Sequence, residues 1–235
     1  MSRRYIAFDI ETAKALPQEV GNLKSHRPLG ICCAAALAEN EAPRLWHGVS
    51  PDGRPAPRMS QPEAAEMVRE LLRLADTGAT ILTWNGASFD FDILAEESGL
   101  WDECRLLARS HVDMMFHALC ELGYPIGLDS ACRGMGLAGK SGNVQQYLAP
   151  QYWADGRTDE VLEYVTGDVR ATLAVALEAE RQGKLKWIAR SGKTRDFRLT
   201  NGWLSVEEAQ RLPLPDTSWM DRPISRASFL SWLRQ

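Results

Sequence analysis

The spacing of apolar residues marks out strands first. Residues 4–10 run apolar and end in acids, GICCAAALA (30–38) is almost wholly apolar, and RLWHG (44–48) is a shorter extended run. All three read as strands. Residues 14–28, with Pro17, Gly21 and Pro28, read as a loop, and 50–60, SPDGRPAPRMS, as a surface turn. From Gln61 the apolar positions Met67, Val68, Leu71, Leu72 and Leu74 follow a helical spacing. ATILTW (79–84) returns to strand and runs into a helix over 89–98. HVDMMFHALCELG (111–123) predicts an amphipathic helix stopped by Gly123, with Pro125 beyond it, and 128–137 a shorter one. Thr158 is placed to cap a long helix. Asp159 and Glu160 then fall in its first turn, where acids suit the helix dipole, and Gly183 stops it after Gln182.

Three strands, then helix, strand and helices, with no internal repeat, predict an α/β domain. Its first strands are antiparallel neighbours and its later crossover is helical. Beyond Gly183 the pattern changes. FRLTNGWLSV sets Asn201-Gly202 between apolar flanks, which predicts a hairpin. Ser205 and Glu208 have capping-box spacing, and the chain ends in the Trp-rich SWMDRPISRASFLSWL. We therefore divide it into a domain over 1–183 and a small hairpin/helix appendage over 184–235, packed on that domain.

Composition narrows the function. At 235 residues the chain has room for one sizeable domain plus an appendage, and its net charge of −4 excludes a general polyanion binder. Any contact with nucleic acid must come from a local basic patch. No apolar run approaches the roughly 20 residues of a membrane span, and MSRRYIAFDIE does not read as a secretory signal, so no membrane partner and a cytoplasmic location are expected. Five cysteines without C-x-x-C spacing read as reduced core thiols. His26, His47, His111 and His117 are too scattered for a metal set.

The chemistry begins in YIAFDIET (5–12). Asp9 and Glu11 are two apart on a strand, so they share a face. Two neighbouring, partly buried carboxylates repel and lose solvation unless a proton, a basic partner or a cation offsets the cost. Asp90 follows Phe89 just past a later strand. Tyr164 and Asp168 are four apart on the long helix and project together. Singly, these are a solvated strand end, a first-turn acid and a solvated helix residue. Together they form a three-part pattern in fixed order.

That pattern resembles the DEDD exonuclease superfamily, as found in the proofreading domain of family B DNA polymerases. Phe8-Asp9-Ile10-Glu11-Thr12 is similar to its first motif, Asn85-Gly86 with Phe89-Asp90 to its second, and Tyr164 with Asp168 to its third. The superfamily's histidine branch places histidine five before the final acid; Glu163 stands there, so the chain resembles the tyrosine branch. The resemblance covers residues 1 to about 182. It implies a ribonuclease-H-like mixed sheet flanked by helices, and a 3′→5′ exonuclease acting on single-stranded or frayed DNA. It further implies that Asp9, Glu11, Asp90 and Asp168 hold two divalent cations, Mg²⁺ or Mn²⁺, in a two-metal mechanism, with Tyr164 orienting the attacking water. RNA as substrate, or a non-catalytic nucleic-acid-binding module of the same fold, remain alternatives. Asp92, turned away from Asp90 on a helix, reads as structural or solvent-facing; Asp113 reads as support for the site or a helix-start acid.

Candidates for holding the strand are Thr12, Asn85, which contacts substrate or braces its turn, and Phe89, a base wedge or a core aromatic. Seven basic residues lie between 181 and 198, with Trp187 and Phe197 interleaved and only Asp196 opposing them. Such a mixture suits phosphates and bases, or is a solvated hairpin face. Lys186, Arg190, Lys193 and Arg195 are its substrate-binding candidates. Lys140 in GLAGKSGN lacks the spacing of a nucleotide-triphosphate loop.

Overall fold

The first strand, β1 (Tyr5–Thr12), alternates between two cores. Ile6, Phe8 and Ile10 enter one and Tyr5 and Ala7 the other, because strand side chains point to opposite faces. The computed structural model describes residues 3–17, 20–139 and 146–234. β2 (Ile31–Ala38) and β3 (Arg44–His47) join β1 on one side as antiparallel neighbours; β4 (Thr80–Thr83) and β5 (Val112–Asp113) join on the other as parallel ones. The sheet order is β3-β2-β1-β4-β5. Parallel neighbours need crossovers. Here they are α1 (Gln61–Asp76) before β4, then α2 (Asp90–Ser98) and α3 (Trp101–Ser110) before β5.

Helices α4 (Met114–Leu122), α5 (Leu128–Met135), α6 (Ala149–Ala154) and α7 (Thr158–Gln182) follow. Met67, Val68 and Leu71 of α1 and Phe91 of α2 pack on Ile6, Phe8 and Ile10, with the Phe8 and Phe91 rings stacked at 5.9 Å. Val165, Val169 and Leu173 of α7 pack on the opposite face with Tyr5 and Ala7. β2 is buried along its whole length. Its ICCAAALA run supplies small side chains to both faces, so helices approach closely on each side. The mixed sheet between helical layers is the expected α/β, ribonuclease-H-like architecture.

The structure departs from the sequence reading at several elements. The apolar pattern does not reveal α3, whose buried residues are only Cys104, Leu107 and Ala108. The helix expected over 111–123 starts at Met114, because Val112–Asp113 pairs with β4 and Asp113 caps α4 by accepting from the Phe116 amide. Thr158 is the first residue of α7, and its N-cap is Arg157. The hairpin forms earlier than Asn201-Gly202 would put it: β6 (Lys184–Ile188) pairs with β7 (Thr194–Arg198) around a turn holding Gly192 at φ +77°. Asn201-Gly202 lies in a tight bend, and its apolar flanks Leu199 and Trp203 are buried against α7 instead of pairing. The Trp203 indole donates to Ala176 O at 3.1 Å.

The capping box at Ser205 is present at the start of α8 (Val206–Ala209). After α9 (Arg226–Phe229), the buried Trp232 donates to Ala87 O at 2.8 Å. At Gly134 of α5, an added Cβ would lie 2.3 Å from Trp187 Cα, so a glycine here lets β6 rest directly on the helix. All five cysteines are buried free thiols, and among the described residues no helix is long and apolar enough to cross a membrane. Lys140 lies outside the described residues.

Candidate metal centre

Open α/β sheets bind ligands beyond the carboxyl ends of their strands, and the acids gather there. Asp9 and Glu11 extend the row of β1 side chains that faces α7, Asp9 half-buried and Glu11 6 % exposed. The register slips between Glu11 and Thr12, ending regular pairing with β2 at the cleft. Tyr164 and Asp168, one turn apart on α7, lie over the same cleft. One ligand oxygen from each of Asp9, Glu11 and Asp168 falls within 4.8 Å of the others. Two unit charges 4 Å apart repel by about 4 kcal/mol at the effective dielectric of a partly buried site. Three carboxylates at this spacing are stable together only with protons or cations among them. Hard oxygen donors of this kind suit Mg²⁺ and Mn²⁺, so the residues present fit divalent ions.

Asp90 stands at the first turn of α2, outside that trio but joined to it. Its Oδ1 accepts from Ile10 N at 3.1 Å, and its carboxyl shares a hydrogen bond with Asp9. Burial raises its pKa to about 7, with the nearby Asp113 charge adding to the shift. It therefore holds a proton to higher pH than an ordinary carboxyl does, and a neighbouring cation would favour the carboxylate. The Tyr164 phenol hydrogen-bonds Asp168. Burial, then the charges of Asp168, Glu11 and Asp9, hold its pKa well above the ordinary value. It is a fixed proton donor throughout the neutral range.

The turn before Asp90 is clamped from behind. The buried Asp113 carboxylate accepts from the amides of Asn85 (3.0 Å), Ala87 (2.9 Å) and Phe116 (3.0 Å). Asp113 is thus both a helix cap and a support for the site. Gly86 N donates to Thr83 Oγ1 at 3.1 Å, and a Cβ on Gly86 would lie 2.5 Å from that same oxygen. Thr83 in turn meets His111 Nε2 at 3.0 Å. Burial lowers the His111 pKa to about 3, so the ring is neutral. Asn85 takes φ +79°, a left-handed conformation that asparagine tolerates better than most residues.

Asp92 is buried, which corrects the solvent-facing alternative and leaves the structural one. Lys24 Nζ and Arg27 Nη2 each approach its Oδ2 at 2.6 Å. These bonds bind the turn Leu23–His26 to α2, so the preceding loop becomes a wall of the cleft, including Lys14 and Leu16. Sequence reasoning missed Lys14, Trp84 and Tyr147 as lining residues; no periodicity marks them, since long-range ion pairs and helix placement bring them there.

The cleft encloses about 750 Å³ and is lined by all four acids, Tyr164, Thr12, Asn85 and Phe89. The basic candidates lie elsewhere. Arg190 and Arg195 line a neighbouring cavity. Lys186 alternates with the buried Leu185 and Trp187, so it points to the other side of the hairpin, and Lys193 sits in the turn. Arg181 is paired with Glu178.

Fold and acid cluster together define a ribonuclease-H-like domain with a nuclease-type carboxylate site. A family model described as the RNase_H superfamily matches residues 54–179, more than half of the chain, and the protein belongs to that superfamily. Its structure is similar to that of the family B DNA polymerase from the hyperthermophilic archaeon Pyrobaculum calidifontis, with a TM-score of 0.52 and 19 % identity. The likeness covers 77 % of this chain and 25 % of the polymerase, so the chain spans about a quarter of that protein's length. No curated protein matches. The superfamily and fold are those that the three motifs led us to expect.

Proposed function

We propose that this protein is a metal-dependent 3′→5′ exonuclease that removes nucleotides from single-stranded or frayed DNA ends. The observation carrying this reading is the convergence of Asp9, Glu11 and Asp168 within 4.8 Å, in one open cleft with Asp90 and Tyr164. Asp9, Glu11, Asp90 and Asp168 would hold two divalent cations. Such ions, when bound, neutralise the carboxylates and stabilise charge on a phosphodiester. Tyr164, kept protonated by its surroundings, would orient the attacking water through its hydroxyl oxygen, which can accept from that water while its proton is held by Asp168. Removal of a proton by this phenol is disfavoured, so its role is positioning. Asn85 and Thr12 offer polar contacts to the terminal nucleotide, and the half-buried Phe89 presents an apolar edge to its base. The polymerase likeness makes DNA the first substrate to test.

End-labelled DNA and RNA oligonucleotides incubated with and without Mg²⁺ or Mn²⁺ test the proposal. Shortening from the 3′ end only with metal, abolished in Asp9→Ala and Asp168→Ala, is the expected result. Metal-independent cleavage, unchanged rates in those variants, or cutting of circular single strands overturns it. A non-catalytic binder would hold oligonucleotides in chelator and show no turnover with metal.

A further inference from the structure

Beside the acidic cleft lies a second cavity of about 1210 Å³, between α5, the β6–β7 hairpin and the segment 219–224. The two share Gly127 in their walls. They are also joined through Trp84, which lines the acidic cleft and donates from its indole to the carbonyl of Ile126 in the second cavity at 3.1 Å. The second cavity exceeds the roughly 300–1,000 Å³ that encloses one small molecule. Its charge is opposite to that of the first: Arg133, Arg190 and Arg195 line it, and among the described residues no aspartate or glutamate does. Arg133 is paired with Asp129 at 3.1 Å, whereas Arg190 and Arg195 make no ion pair with a described residue.

Aromatic rings complete it. Tyr124 packs edge-on against Trp187 at 6.5 Å and against Trp219 at 5.9 Å. Trp219 is 65 % exposed, yet its orientation is fixed by donation to Asp216 O at 3.1 Å. An exposed, oriented ring beside cations is the kind of surface on which unpaired bases stack. The strand register sets Arg195 directly opposite Trp187, so the hairpin presents a cation and a ring on the face turned to the cavity.

We infer that this cavity holds the stretch of single strand lying 5′ of the nucleotide at the acidic site. Arg190 and Arg195 would meet its phosphates, and Trp219 with Tyr124 would stack on its bases. This rests on the proposed exonuclease reading for the identity of the strand, but the binding itself needs no metal. Arginine-and-aromatic surfaces grip single strands with little sequence preference, because every nucleotide offers a phosphate and a ring face. A duplex buries its ring faces in stacking, so the cavity selects unpaired ends.

The test uses the full chain in chelator, with labelled thymidylate trimers and dodecamers followed by fluorescence anisotropy. Trp219→Ala and the double variant Arg190→Ala/Arg195→Ala alter exposed side chains, and circular dichroism checks that both fold. Dodecamer affinity is expected to fall about tenfold in each, with less than a twofold change for the trimer. In the arginine variant the slope of log affinity against log salt falls by about 0.7 for each phosphate that is no longer neutralised. Folded variants that bind the dodecamer like the unaltered protein, or whose trimer and dodecamer affinities fall equally, overturn the inference. Wild-type protein that binds through this cavity but never cleaves with metal would sink the exonuclease reading and leave the cavity's role standing.

Discussion

Replacing Asp90 by asparagine separates the cost of the acidic site from its use. Burial moves this carboxyl from 3.8 to about 7. At about 1.4 kcal/mol per tenfold change, the shift corresponds to a penalty on the charged form of order 4 kcal/mol. The folded-state pKa lies above the unfolded one, so the folded protein keeps a proton that the unfolded chain releases. This contribution to stability is therefore complete below about pH 4, is lost as pH rises towards 7, and stays lost above it. Asparagine carries no charge at any pH, and its Oδ1 can still accept from Ile10 N. In metal-free buffer the Asp90→Asn protein is expected to match wild type near pH 4 and exceed it at pH 8. For a domain of this size each kcal/mol raises the melting temperature by about 2–4 °C, so a gain of order 10 °C is the upper bound. Calorimetry at the two pH values, with chelator and then with Mg²⁺ or Mn²⁺, reads this directly. With metal the gap at pH 8 narrows. A hundredfold excess over the dissociation constant stabilises by about 2.7 kcal/mol, and wild type gains this while the variant gains less. An Asp90→Asn protein that is no more stable at pH 8, with the wild-type pH slope between 4 and 7, refutes this account of the site.

Asp92→Ala leaves the partly buried Arg27 with Glu96 at 3.5 Å and Lys24 with the carbonyl of Ser88 as their remaining partners; a loss smaller than the about 3–5 kcal/mol of a fully broken buried pair is expected in urea titrations, with a raised KM because the cleft wall loosens. His111→Phe removes the ring's hydrogen bonds to the Thr83 hydroxyl and to the carbonyls of Leu107 and Ala108, leaving Thr83 Oγ1 the Gly86 amide and Leu107 O the residue-111 amide, and costs about 1–3 kcal/mol at neutral pH. Because its folded pKa is depressed to about 3, the wild-type imidazole contributes stability that disappears as pH falls below about 6.5; the variant should lack that acid slope, checked by denaturation at pH 7 and pH 4.5. Gly134→Ala sets a methyl against the Trp187 backbone and is expected to abolish hydrogen-exchange protection over 184–198 while sparing the thermal shift with metal. Tyr164→Phe should slow cleavage and leave that metal-induced shift unchanged; a fully active variant contradicts the positioning role.

The sheet was legible because β1, β2 and β4 fall in apolar runs that polar or loop residues interrupt. β5 was not. A strand of two residues has no period, and Val112–Asp113 is extended only because β4 offers it hydrogen bonds. α3 failed for a related reason: with three buried positions in ten residues, its apolar stripe is too thin to stand out from WDECRLLARS. The Asn201-Gly202 signal was genuine turn chemistry without a strand pair. Leu199 and Trp203 gain more by burial against α7 than by pairing with each other, and local propensity yields to such packing. The basic run at 181–198 was likewise read as one patch, although a hairpin sorts alternate residues onto opposite faces and sends Lys186 away from Arg195.

The four carboxylates stand out in the sequence more sharply than the core around them, and the physics of folding explains why. A sequence chosen for stability alone would not place Asp9, Glu11, Asp90 and Asp168 where burial and mutual repulsion disfavour their charges. Each breaks a local rule, and such violations concentrate where a chain must do something other than fold. Asp113 breaks the same rule, yet it differs in an observable way: three backbone amides satisfy it within the chain. That satisfaction marks a supporting acid, whereas three carboxylates brought within 4.8 Å of one another form a cluster whose mutual repulsion a cation would relieve. Sequence alone could not draw the distinction, because the amides that satisfy Asp113 belong to residues more than twenty positions away as well as to its own helix.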